Sequence, residues 1–183
     1  KPENPIYSEL IEPITELKEW DFYANEKSVA TTLANEWGYK INPIIQKVYI
    51  DEGEMDQVEN TIQFAKTATP EQLIPQLQTV VNELKVKFGS WQIPWGELNR
   101  FQRTSGEIDL TFNDNLESLP IGFGSALWGS LPAYKSNYQK GTHKRYGYNG
   151  NSFVCAVEFG PKIKAKSLLA GGNSGDSKSK HFM

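Results

Sequence analysis

The sequence predicts an α+β fold, with a helical first half followed by antiparallel strands. Three observations carry this reading. Apolar residues recur at helical spacing as far as Phe88. Beyond Gly89 the texture changes to period-two alternation and turn-rich stretches. The charge also divides. Residues 1–60 hold 13 Asp and Glu against 5 Lys and Arg, a balance of −8, whereas residues 61–183 hold 9 against 14, a balance of +5. Halves of opposite charge pack on, or face, different things. The 183 residues read as one domain, mainly helical over 1–90, with loops and antiparallel strands over 91–183.

The elements follow in chain order. Tyr7, Leu10, Ile11, Ile14 and Leu17 form a helical stripe that Pro13 interrupts, kinking or splitting the helix. Val29, Leu33 and Trp37 form a second stripe, with Ser28 as its cap and Gly38 as its close. Residues 69–88 carry the strongest helix signal. Thr69 caps, Pro70 suits the first helical position, and Gln72 completes a capping box. Leu73, Leu77, Val80, Val81, Leu84 and Phe88 then line one face. Pro75 opposes the carbonyl four residues back and predicts a kink or a late start.

In the second half, Ile108, Leu110 and Phe112 alternate with Glu107, Asp109 and Thr111, as in a half-buried strand. Residues 113–151 are rich in Gly, Asn, Ser and Tyr and read as long loops. SFVCAVEFG then reads as a strand apolar on both faces, central rather than edge. The turn Gly160-Pro161-Lys162 and the strand IKAKSLLAG complete a hairpin.

Composition narrows the function. A hydrophobic share of 38% with 22% charged residues is that of a globular chain rather than a disordered one. No run approaches the roughly 18 apolar residues of a membrane span. KPENPIYSEL lacks the apolar core of a secretory signal. A single cysteine, Cys155, excludes an internal disulfide and a cysteine metal cluster. The two histidines, His143 and His181, make a zinc site of protein ligands an unfavoured reading. A net charge of −3 argues against a nucleic-acid partner.

Several stretches carry candidate chemistry. GFGSALWG (122–129) has Gly122 and Gly124, but Leu127 stands where a dinucleotide loop needs its third glycine, so a tight loop beside Trp128 is the better reading. YKSNYQKGTHKRYGY (134–148) interleaves basic and aromatic residues without an acid. It suits stacking of bases or sugar rings, or simply a solvated loop or a surface that meets another chain. Cys155, among apolar neighbours, reads as a buried structural thiol. Ser174 sits in N-S-G without the strand–turn–helix setting of a nucleophile elbow. Glu158 shares a strand face with Val154 and Ala156, where a carboxylate is costly unless paired or protonated. It is either a strand-end residue reaching solvent or a carboxylate that orients a histidine supplied from elsewhere. The residues alone assemble no complete active site.

Three stretches occur in a telling order and spacing: WQIPWGELNRFQR (91–103), GNSFVCAVEFGPKIKAKSLLAGGNSGD (150–176) and SKSKHF (177–182). Together they resemble the C-terminal part of the β-chain of the penicillin acylase family. These are N-terminal-nucleophile hydrolases, which include the aculeacin and homoserine-lactone acylases. LKEWDFYANEKSVATTLANEW (17–37) fits the helical segment that precedes W-G-x-x-N-R in that family. The sequence departs from the family at Lys180, where proline usually precedes the histidine, and at Ser177, where proline or alanine is usual.

The resemblance implies a fragment of an αββα sandwich, truncated at both ends. In the family, the G-G-x-S-G-D…H-F stretch continues into Asp-Gln. It also implies hydrolysis of an acyl-amide bond without metal or cofactor. The nucleophile is the N-terminal serine of the β-chain, and that serine's own α-amino group, through water, is the base. A backbone amide and an asparagine hold the oxyanion. By family order these groups lie upstream of Lys1. In part of the family a late β-chain glutamate supports the early histidine, and Glu158 is the match. Asn99 and Arg100 are expected to do structural work. The implied partners are the α-chain, the rest of the β-chain and an N-acyl small molecule, in a periplasmic or secreted setting. The rival reading is a non-catalytic glycan-binding or interaction module built on the Trp and Tyr loops from 91 to 148.

Overall fold

The computed structural model describes residues 5–50, 56–103, 111–169, 174, 176, 178 and 179. Among these the chain forms two compact units, Lys1–Leu98 and Asn99–Met183. The first is helical. The second holds a mixed four-stranded sheet and an antiparallel hairpin. The predicted α+β class is the observed one.

The helical unit contains α1 (Pro5–Lys18), α2 (Val29–Ile50), α3 (Gln57–Thr67), α4 (Pro70–Phe88) and the single turn α5 (Trp95–Leu98). α1 is one helix with Pro13 inside it, not two. Pro13 is buried, so packing outweighs the hydrogen bond its ring removes. Ser28 does cap α2, accepting the Thr31 N–H at 3.0 Å.

The predicted close of α2 at Gly38 does not occur; the helix runs on past Gly38 and Pro43 to Ile50. The reason is burial. Ile41 and Ile45, beyond the glycine, bury against Phe64 of α3, and burying each such side chain is worth about 1.5–3 kcal/mol. That exceeds the roughly 1 kcal/mol that a mid-helix glycine costs.

α3 escaped the sequence reading. Its signal was present: Asp56 stands three residues before Glu59 and accepts the N–H groups of Val58 and Glu59 at 2.9 and 3.2 Å. α4 begins at Pro70, as its cap predicts, and Thr69 donates its N–H to Gln72 Oε1 at 2.9 Å. Pro75 does not delay the start. Leu77, Val80, Val81 and Leu84 on this helix are each 1% exposed, so its predicted stripe is the heart of the core. Gly89 ends the helix at φ 79°, a left-handed close that only glycine adopts without strain.

In the second unit β1 (Asn99–Phe101), β2 (Leu119–Pro120), β3 (Tyr134–Tyr138) and β4 (Arg145–Gly150) make a sheet of order β2-β1-β4-β3. β1 and β4 run parallel, so this sheet is mixed rather than wholly antiparallel. The stretch 113–151 is therefore not all loop. Tyr134, Ser136 and Tyr138 alternate along β3, and Gly141 turns the chain at φ 82° into β4. The expected strand around Ile108 and Leu110 lies outside the described residues. Phe112 is not in a strand; its ring stacks on Tyr146 at 4.9 Å. β5 (Phe153–Glu158) and β6 (Lys164–Leu169) form the predicted hairpin. Among the described residues β5 pairs with β6 alone, so the central position expected for it is not seen.

Candidate active site

The W-G-x-x-N-R stretch, Trp95 to Arg100, is the place to look first. Its front half serves the helical unit. Trp95 is 1% exposed. The N–H groups of Trp95 and Gly96, which open the single turn of α5, donate to Ser28 O at 3.0 Å and Glu26 O at 2.8 Å. Those are orphan donors of a helix start, and the loop before α2 satisfies them. Thr32 ties the same region from within α2, its hydroxyl donating to Ile93 O at 2.6 Å.

Its back half organises the second unit. Asn99 is fully buried. Its Nδ2 donates to Ile121 O at 2.8 Å and Phe123 O at 3.0 Å, while its Oδ1 accepts from the Ser136 hydroxyl at 2.6 Å. Arg145, also buried, donates through Nη2 to Ser136 O at 2.7 Å, and its guanidinium lies 5.0 Å over the Tyr138 ring. Arg100 forks onto Ser118, reaching Oγ at 3.0 Å and the backbone carbonyl as well. The planar fork serves a carbonyl and a hydroxyl at once in a fixed geometry that a lysine ammonium does not impose.

A second knot lies nearby in sequence. Gln102 accepts the Asn113 N–H at 2.9 Å and donates to Asn113 O at 2.8 Å. Asp114 accepts the Tyr146 hydroxyl at 2.9 Å and the His143 N–H at 2.6 Å. Tyr134 donates its hydroxyl to Arg100 O at 2.8 Å. Burial pushes the Tyr134 phenol up to about 12. Burial also raises the Tyr146 phenol, helped by its hydrogen bond to Asp114. Both rings are neutral structural donors at any physiological pH, not acids or bases in waiting.

The sequence-predicted residues fall as follows. Glu158 ends β5 with its side chain exposed, 3.4 Å from Lys164. His143 is exposed, and the structure does not bring it to Glu158. Cys155 is exposed, not buried; among the described residues its strand pairs with β6 alone. Ser174 accepts the Asp176 N–H at 3.2 Å, making a turn. Gly171, Gly172, Gly175, Ser177, Lys180 and His181 lie outside the described residues. The GFGSALWG stretch is the tight loop expected, a 3-10 turn over Ala126–Trp128 capped by Ser125 and closed by Gly129 at φ 78°.

The platform for the rival reading keeps Tyr148 exposed and Trp128, Tyr134 and Tyr138 half-buried, but loses its other three rings. Trp91, Trp95 and Tyr146 are core residues at 8%, 1% and 0% exposure, and a buried ring cannot stack on a sugar. Sequence reasoning missed Ser136, Arg145 and Asp114. Arg145 carried a signal, since a charged residue that lands on an inward strand position must find partners.

Chemically, the arrangement can hold backbone in place. It does not pair a nucleophile with a base. Ser136, the best buried hydroxyl, already donates to Asn99, and its neighbour Arg145 is always protonated. No group of three His, Cys, Asp or Glu among the described residues could hold a metal. What the fold and site define is an α+β chain in which a buried polar knot ties long loops to short strands. Residues 5–183 match the penicillin amidase family, and the chain belongs to that family, whose members are acylases. No curated protein matches the chain.

Proposed function

We propose that this chain is the C-terminal part of the β-chain of a penicillin-acylase-type amidohydrolase, acting only together with the rest of its precursor. The observation that carries this reading is the family match over 5–183, set beside a motif whose side chains are all consumed in packing. The serine nucleophile and its α-amino base are then supplied by residues outside these 183. The serine Oγ adds to the acyl carbonyl as its proton passes through water to the amine. The proton then goes to the leaving amine, and water hydrolyses the acyl ester in a second addition. The substrates are penicillin, an acyl-homoserine lactone or a related N-acyl compound, and the setting is periplasmic or secreted. Glu158 is the candidate carboxylate that orients the histidine next to the nucleophile.

The test is reconstitution. The purified chain should release no amine from an N-acyl chromogenic amide above the buffer rate. Co-expression with the upstream segments should restore release. A robust rate from the 183 residues alone would overturn the reading. In the whole enzyme Glu158→Gln should lower turnover, and wild-type turnover would remove Glu158 from the relay.

A further inference from the structure

The sequence holds one Asn–Gly step, Asn149-Gly150, at the end of β4. Three features set it apart from a well-held ladder position. The first is a bulge. β3 pairs Lys135 with Asn149 and Ser136 with Gly147, so Tyr148 is an extra residue on β4 and the ladder breaks just before Asn149. The second is the direction of the Gly150 N–H. Asn151 donates its N–H to Ala133 O at 3.1 Å, and successive N–H groups of a strand alternate in direction, so Gly150 turns its own N–H away from β3. The pairs of β4 with β1 lie farther back, at Arg145 and Tyr146, so neither pairing engages it. The third is the glycine itself. A Cβ at 150 would stand 2.7 Å from Ala133 O, so this approach of the two strands requires glycine. Lacking a side chain, Gly150 also leaves its nitrogen the least hindered route to the amide of the residue before it. Asn149 and Gly150 are both exposed.

We propose that Asn149 is a site of spontaneous modification in the folded chain, where closure onto Gly150 converts it to isoaspartate or aspartate and the isoaspartyl form unclasps the end of the β3–β4 pair. The Gly150 nitrogen, once deprotonated, adds to Asn149 Cγ. A C–N bond forms, the Cγ–Nδ2 bond breaks, and ammonia leaves carrying the proton that Gly150 lost. Water then opens the five-membered imide. Attack at Cγ gives aspartate with the backbone as before. Attack at the main-chain carbonyl routes the backbone through Cγ, which is isoaspartate. The two products differ in consequence. Aspartate at 149 gains from Lys135 directly opposite. Isoaspartate adds a methylene to the backbone and carries Asn151 out of register with Ala133, where two bonds now clasp the strands: Asn151 N–H to Ala133 O at 3.1 Å and Ala133 N–H to Asn151 Oδ1 at 2.5 Å. The proposal stands apart from the acylase reading and holds whether or not that reading does.

The test incubates the full 183-residue chain in mildly alkaline buffer beside the free peptide Tyr-Asn-Gly-Asn-Ser, with peptide mapping by mass spectrometry. Residue 149 should gain about 1 Da as its amide becomes a carboxyl. Its rate should lie within roughly ten-fold of the peptide's, because a strand end opens at little cost. The rate should rise in proportion to hydroxide, and in oxygen-18 water the new carboxyl should carry one heavy oxygen. Asn151, whose Oδ1 is held by Ala133, should stay intact. Asn149→Gln, which would need a six-membered ring, should stop the change. Hydrogen exchange reads the unclasping: the Ala133 N–H should lose protection in the isoaspartyl chain and keep it in Asn149→Asp.

A folded chain that converts more slowly than that ten-fold margin would show that the strand protects Asn149, and would overturn the proposal. So would equal conversion at Asn151, or a product without heavy oxygen. Equal protection of Ala133 in the isoaspartyl chain and in Asn149→Asp would overturn the unclasping.

Discussion

Asn99→Ala is the substitution that most directly tests the buried knot. It removes the two donors that serve Ile121 O and Phe123 O and the acceptor that serves the Ser136 hydroxyl. Each part-buried group that loses its partner costs about 1–3 kcal/mol. Ser136 can turn its hydroxyl elsewhere, so the two carbonyls decide the outcome. Together they set a loss of about 3–4 kcal/mol. For a unit of this size each kcal/mol lowers Tm by roughly 4–8 °C, so the second unit should melt more than about 10 °C lower. Urea titration read by hydrogen exchange over residues 99–150 isolates that unit from the helices. In the reconstituted enzyme, turnover should fall only as the folded fraction falls, with KM unchanged. Two results would refute the reasoning. Wild-type stability would show that the knot does not hold the loops. Wild-type stability with lost turnover would make Asn99 part of the chemistry. Asn99→Asp should be no milder, because it sets a buried carboxylate against two carbonyls.

Three further outcomes are expected. Gly147→Ala should cost about 2–4 kcal/mol, because its Cβ would fall within the Tyr134 ring, which the hydroxyl bond to Arg100 O holds in place; an unchanged urea midpoint would contradict the packing of β4 under that ring. Leu84→Ala should cost about 2–5 kcal/mol in the helical unit, read by far-ultraviolet circular dichroism. The third concerns alkaline pH. The folded Tyr134 phenol is raised from 10.0 to about 12, so its contribution is fully present below pH 10 and lost as pH rises towards about 12. Stability should fall across that window, and less steeply in Tyr134→Phe; identical slopes would remove Tyr134 as the cause.

The helical unit was legible where local signals and packing agreed. At α4 the cap, the proline and the apolar stripe all point one way, and the helix follows them. At Gly38 they conflict. A glycine is a cheap local stop signal, but the isoleucines beyond it bury against α3, which the sequence does not show as a neighbour. β3 and β4 were hidden for a related reason. Their residues are tyrosines, asparagines, glycines, a serine, a lysine and an arginine, which look like loop until the partners appear. Arg145 is buried where Ser136 and Tyr138 of the facing strand receive it. Glu158 was legible as a strand-end carboxylate, and it lies exposed beside Lys164.

The knot also explains why W-G-x-x-N-R is a marker of architecture. β1 is three residues long and β2 two, so the strands offer little apolar area to bury. Backbone carbonyls of the 121–123 loop instead take their donors from a side chain. A single side chain must then donate twice and accept once at full burial, and an amide does this without carrying charge. Leucine would fill the volume but satisfy nothing, and aspartate would repel the carbonyls. Asparagine at 99 follows from that geometry, and its amide has no donor left to offer an oxyanion. The contribution of these residues is to hold short strands and the loops between them in one shape.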